Sequence, residues 1–179
     1  MTRTTTKETI AVHGRLEPVG DRWQLQFTRK LPHTREKVWR ALTEPEHLAA
    51  WFPTDIEGER APGAALRFVF RKGEMPPSDG EMITYDPPSA LELRWGDETL
   101  RFDLQPDDDG TLLVFRNTFD DLGKAARDAA GWHACLDVLG YDLAGREAPW
   151  APEARWDDVH PWYVEHFGPE AATIGPPNH

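Results

Sequence analysis

The sequence predicts an α+β domain: a curved antiparallel sheet wrapped around one long helix near the C-terminus, with two short helices after the first core strand. Three observations carry this. Apolar and polar residues alternate with period two from Leu66 to Phe119, in segments separated by short turn-forming sequences. Two short helical patterns stand back to back before that run. One later segment, Gly123 to Arg146, has the length and the apolar stripe of a helix that can cover a sheet.

The elements follow in chain order. Residues 1–9 read as a flexible leader, polar and Thr-rich. Ile10 to Glu17 reads as a short edge strand, with Pro18 limiting how deeply it pairs. Trp23, Leu25 and Phe27 alternate with Gln24, Gln26 and Thr28, the pattern of a half-buried strand. Thr34 caps a helix whose apolar side is Val38, Trp39 and Leu42. Thr43-Glu44-Pro45-Glu46 reads as a capping box that opens a second short helix, with Leu48, Trp51 and Phe52 apolar and Pro53 as its stop.

Strands follow at Leu66/Phe68/Phe70, Gly80–Tyr85, Leu91/Leu93/Trp95, Leu100/Phe102/Leu104 and Leu113/Phe115/Asn117/Phe119. In the second of these, strict alternation sets Met82 and Thr84 on one face and Ile83 and Tyr85 on the other. Asp86-Pro87-Pro88-Ser89, Gly96-Asp97 and Asp107-Asp108-Asp109-Gly110 are tight turns, so neighbouring strands pair antiparallel in a meander. Lys72 to Asp79 is longer and is the candidate mouth loop. On the long helix, Ala125, Ala129, Trp132, Cys135, Leu136, Leu139 and Leu143 form a stripe about 120° wide. Ala130, Ala134, Val138 and Tyr141 form a second apolar strip that needs a cover. The segment 147–179, with Trp150, Trp156, Trp162, Tyr163 and Phe167, is expected to pack on the domain or on a partner. Asp157 to Phe167 is expected to hold a helical turn or two interrupted by Pro161, and residues 169–179 to fray.

Composition narrows the function. With 31 acidic and 20 basic residues the chain of 179 residues carries a formal charge of -11, which disfavours nucleic acid and anionic membrane as partners. No apolar run is long enough to span a bilayer. The single cysteine, Cys135, cannot form an internal disulfide; with no secretory leader in view, this points to the cytoplasm. Eight Trp, eight Phe and three Tyr make a core hard to pack without gaps, and a gap of the right size is a ligand pocket.

The run Val38-Trp39-Arg40-Ala41-Leu42-Thr43-Glu44-Pro45-Glu46-His47-Leu48-Ala49-Ala50-Trp51-Phe52 resembles the signature of START-like (SRPBCC) proteins of the type homologous to the activator of heat-shock-protein ATPase. Three later matches fall in the same order: Gly80-Glu81-Met82 leading to Leu91-Glu92-Leu93-Arg94-Trp95, then Gly110 to Val114, then Gly131 to Leu139. The resemblance spans residues 22–146, within a domain bounded at 10–146. It implies a helix-grip (START-like) fold with a hydrophobic cavity between sheet and long helix. It also implies a single-domain bacterial type, without the N-terminal domain through which eukaryotic co-chaperones reach their chaperone. Two departures are the strand before Trp23 and the long Trp-rich ending.

The candidate ligand-binding residues are Trp51, Phe52, Phe68, Phe70, Met82, Thr84, Trp95, Phe102, Phe115, Asn117, Trp132 and Leu136. They lie on faces that alternation or helical spacing turns inward, where a polar atom such as that of Asn117 needs a partner, either protein or ligand. His133 and Asp137 read as an exposed i,i+4 pair, and Asp128 as a solvated flank. Cys135 reads as an ordinary buried thiol facing the sheet. No catalytic set, metal ligand spacing or cofactor motif is found. The leading expectation is a protein binding a small hydrophobic or aromatic molecule. The alternative is a chaperone-regulating interaction module. A cyclase-like or hydrolase-like enzyme ranks behind both, and either a monomer or a homodimer fits.

Overall fold

The computed structural model describes residues 12–73 and 75–175. Eight strands form one antiparallel sheet: β1 (Arg15–Val19), β2 (Arg22–Leu31), β3 (Asp55–Glu57), β4 (Ala65–Val69), β5 (Ser78–Asp86), β6 (Ala90–Trp95), β7 (Glu98–Asp107) and β8 (Gly110–Phe119). Their order is β1-β2-β8-β7-β6-β5-β4-β3. The helices are α1 (Arg35–Thr43), α2 (Pro45–Trp51), α3 (Ala125–Leu143) and α4 (Pro152–Phe167). Among the described residues, no helix is long and apolar enough to cross a membrane.

The inner face follows from side-chain alternation. One cross-strand row runs Tyr85, Leu91, Phe102, Phe115, Phe27; the next runs Met82, Leu93, Leu100, Asn117, Leu25. Helix α3 lies over these rows and buries Trp132, Leu136, Leu139 and Leu143. Full burial of each large ring or Leu is worth roughly 1.5–3 kcal/mol, so these rows dominate the stability of the domain.

Several expectations need correction. The first strand is Arg15–Val19, not Ile10–Glu17, and Ile10 lies outside the described residues. Pro18 sits within it, opposite Trp23, and an edge strand has a free side on which a missing N–H costs little. The capping box does not form. Thr43 is the last residue of α1, its hydroxyl donates to the Trp39 carbonyl at 2.8 Å, and the N-cap of α2 is Glu44 without a side-chain bond. Strand β3 was not anticipated. The connection after β4 ends at Ser78, where β5 begins.

Strict alternation in β5 fails at one point. Met82 pairs with Leu93 but Thr84 pairs with Glu92 and Tyr85 with Leu91, so Ile83 is an extra residue in a β-bulge. The bulge turns Thr84 to the outer face, corrects its assignment to the inner one, and brings Tyr85 inward.

The C-terminal segment is more ordered than the sequence suggests. Helix α4 continues through Pro161 for 16 residues. Proline there forfeits one backbone bond, and burial of Val159 and Tyr163 against the domain offsets the loss. Residues 169–175 do not fray: Ala171 is buried and Ile174 N–H donates to the Gly123 carbonyl at 3.1 Å. A Cβ on Gly123 would crowd the Thr173 hydroxyl, so a side chain there would push that residue aside.

Candidate functional site

Most of the nominated rings meet between the sheet and α3, and they pack on one another. Phe68 and Trp95 stack with centroids 4.8 Å apart and planes 2° from parallel. Phe52 lies 5.7 Å from both Trp95 and Trp132, and Trp132 meets Phe115 edge-on at 4.8 Å. Phe115 stacks on Phe102 at 4.6 Å, and Phe102 meets Trp51 at 6.2 Å. Met82 and Leu136 are buried among the same core. Phe70 and Trp95 remain half-buried at the open end of this wedge, and Thr84 stands apart on the outer face.

Asn117 is fully engaged by the protein. Its Oδ1 accepts from the Trp132 indole N–H at 3.2 Å. Its Nδ2 donates to Glu98 Oε1 at 3.2 Å and reaches the Thr99 carbonyl at 3.4 Å. Glu98 in turn pairs with Lys124 at 3.0 Å. The amide therefore locks α3 to the β7–β8 hairpin. Asp128, one turn before Trp132, is sheltered rather than solvated. Burial raises its carboxyl above the usual range, and Arg127 opposes the rise from 2.9 Å. The sequence places this residue on the flank correctly but cannot show what shields it.

A second cluster overturns the exposed reading of His133 and Asp137. Helix α4 covers this side of α3, and His133 is 1% exposed. The Tyr163 hydroxyl accepts from Gly14 N–H at 2.8 Å and lies 2.8 Å from His133 Nδ1. The Tyr163 hydroxyl and His133 Nδ1 share one hydrogen bond, and Nε2 of the neutral imidazole lies 3.5 Å from both Asp137 Oδ2 and Arg155 Nη2. Burial holds the imidazole down at about 4. Arg29 at 2.6 Å and Arg155 at 2.7 Å keep the Asp137 carboxyl below its ordinary range despite burial. Arg29 was missed although alternation from Leu25 and Phe27 turns it inward, where a cation needs an acid. Cys135 is half-buried and its thiol is pushed up to about 12 by burial, so it is inert.

Open space is found elsewhere. A hollow of about 490 Å³ is lined by Trp39, Arg40, Thr43, Glu44, Pro45, Ile56, Gly58, Arg60 and Tyr85. It sits where α1 meets α2, at the outer end of the inner row that Tyr85 begins. The Trp39 and Tyr85 rings meet at 5.3 Å and 61° as one wall. Opposite, Arg60 donates to the Thr43, Gly58 and Ile56 carbonyls at 3.1, 3.0 and 3.1 Å. Gly58 has φ of 133°, and a Cβ there would come within 2.5 Å of the Ala65 carbonyl, so the turn out of β3 requires glycine. Of these residues the sequence reading named Trp39 as apolar helix surface and Tyr85 as outward; β3 and Arg60 it passed over.

Comparison with known proteins agrees with the architecture. The crystal structure of CalU16 from Micromonospora echinospora superposes with a TM-score of 0.68 at 21% identity, covering 88% of this chain and 96% of that one. A conserved protein of unknown function from Enterococcus faecalis gives 0.69 at 22% identity over 88% and 91%. A Bordetella parapertussis protein gives 0.64 at 24% identity over 87% and 93%. At such identities the likeness speaks to fold alone. No curated protein matches the sequence. The family profile described as activator of Hsp90 ATPase homolog 1-like protein matches residues 32–141, from the approach to α1 through most of α3. The chain therefore belongs to the activator of Hsp90 ATPase homolog 1-like family, with the START-like helix-grip fold.

Proposed function

We propose that this protein binds a small, mainly hydrophobic molecule with an aromatic part, in the hollow between α1, α2 and the β3–β5 edge. The observation that carries the reading is the hollow itself: about 490 Å³, with Trp39 and Tyr85 as one wall and Ile56 on its lining. That volume falls in the range of small-molecule sites, which combine apolar walls with a few fixed polar groups. Trp51, Phe52, Phe102, Phe115, Trp132 and Leu136 enter as the packed mass behind those walls, and the half-buried Phe70 and Trp95 as a second, shallower apolar rim. The cytoplasm is the setting that fits one inert cysteine.

A chaperone-regulating role would draw on an exposed apolar patch between Trp150 and Phe167. Val159 and Tyr163 are buried instead, and Trp156 ties its indole to the Arg127 carbonyl of α3 at 3.1 Å. An enzymatic role would need an acid and base facing a cavity; His133 and Asp137 are committed to holding α4. The small-molecule reading is therefore preferred.

Calorimetric titration with 2-naphthamide, a neutral flat bicycle, tests it. Saturable binding is expected, weakened about tenfold or more in Tyr85→Ala, which removes one wall. Absence of saturable binding to the wild type by both 2-naphthamide and its carboxylate analogue 2-naphthoate, or the same affinity in the variant, overturns the proposal.

A further inference from the structure

We infer that the molecule held in this hollow is an anion, an aromatic carboxylate whose ring lies against Trp39 and Tyr85 and whose carboxylate meets the guanidinium of Arg60. This rests on the proposed binding role and narrows its ligand class.

The reason is an unbalanced cation. Arg60 is half-buried, and its three protein partners are all backbone carbonyls. Carbonyls satisfy N–H groups but do not neutralise a full charge. Among the described residues no carboxylate forms an ion pair with Arg60, and the one titratable neighbour acting on it is the Tyr85 phenol. Burial accordingly pushes the Arg60 guanidinium down from its ordinary value. Arg29 and Arg155 show the usual solution for sheltered arginines, since both sit on Asp137. Arg71 likewise pairs with Asp55 at 2.9 Å. In a chain with 31 acids against 20 bases, the acid on the same lining, Glu44, faces His47 at 3.9 Å and makes no ion pair with Arg60.

The geometry suits a carboxylate. A guanidinium has five N–H groups in a planar fork. The carbonyls of Thr43, Gly58 and Ile56 take three and hold the plane still, leaving two for an incoming acceptor. A pre-positioned fork loses little entropy on binding, and Arg–carboxylate pairs are among the stronger charge-assisted bonds. Arg40 adds a second cation on the lining, whereas Glu44 opposes a ligand carrying more than one negative charge. The bulge at Ile83 brings Tyr85 to the same lining, which puts an aromatic wall within one ligand's reach of the charge.

The test compares 2-naphthoate with 2-naphthamide, which share a ring and differ in charge. Wild-type protein is expected to bind naphthoate at least tenfold more tightly, and the preference should shrink as salt rises. In Arg60→Gln the preference for naphthoate over naphthamide should vanish. Because Arg60 also ties β3 to α1, this variant can unfold. The Arg60 Nε–H resonance of wild-type protein is the independent readout: it should shift with naphthoate and stay put with naphthamide. Equal binding of the two probes, or naphthoate binding without that shift, overturns the anion inference and leaves the hollow a neutral site. Failure of both probes to bind removes the binding role itself.

Discussion

Asn117 shows how one polar side chain on an inward face can be spent on architecture. Buried between Phe115 and Phe119 on β8, it accepts from the Trp132 indole and donates to Glu98, so α3 and β7 are both fastened to it. Replacing it with Ala leaves the indole N–H without an acceptor in a ring-lined interior, at a cost of roughly 1–3 kcal/mol. Asn117→Ala should therefore melt several degrees lower, since about 1 kcal/mol moves a chain of this size by about 2–4 °C. Trp132→Phe removes the donor and should recover part of the loss in the double variant. Strict additivity of the two changes in thermal melts would show that the bond contributes nothing.

At the level of elements, what was legible in the sequence was whatever obeys a period. Helix α3 and strands β6 to β8 follow 3.6 or 2 closely enough that their neighbours and turns could be read directly, although His133 lies buried off the helix stripe. What broke a period was not legible. The extra residue Ile83 reverses the facing of Thr84 and Tyr85, and nothing local in Met82-Ile83-Thr84-Tyr85 marks a bulge. Strand β3 is only three residues, too short to show alternation. The hollow depends on both, which is why the sequence nominated the packed rings and missed Tyr85 and Arg60 as lining.

Helix α4 illustrates the same limit differently. Its aromatic residues were visible, but not the polar lock through Tyr163, Gly14 and His133 that fastens it to α3 and the N-terminal segment. Tyr163→Phe keeps the ring and deletes the hydroxyl, leaving the Gly14 N–H and His133 Nδ1 without their partner. A loss of about 1–3 kcal/mol is expected, along with faster hydrogen exchange at the Gly14 amide. Unchanged protection of that amide would mean the hydroxyl bond does not hold the segment.

For the whole molecule, this lock makes stability depend on pH with a sign that can be worked out. His133 is held at about 4 in the fold, against an ordinary value of 6.5 once unfolded. Between those values the unfolded chain binds more protons, so the stabilisation from a neutral His133 is complete above 6.5 and lost as pH falls toward about 4. The full loss is about 3 kcal/mol by the usual conversion of pKa into free energy. His13, stacked on Trp162 at 3.9 Å and 5.1 Å from the His133 ring, is shifted down by burial and acts in the same sense. Asp137, held low by its two arginines, extends the decline below the ordinary carboxylate range. Asp128, held high, instead opposes the His133 decline just above the ordinary carboxylate value, by binding its proton more readily in the fold. Chemical denaturation of the wild type should show stability falling steeply from pH 6.5 to 4. His133→Gln, which cannot titrate, should start lower at pH 7 and run flatter through that window, so that the two proteins converge near pH 4. Parallel curves would place the acid sensitivity elsewhere and leave the neutral imidazole, with the α4 docking derived from it, without its supporting consequence.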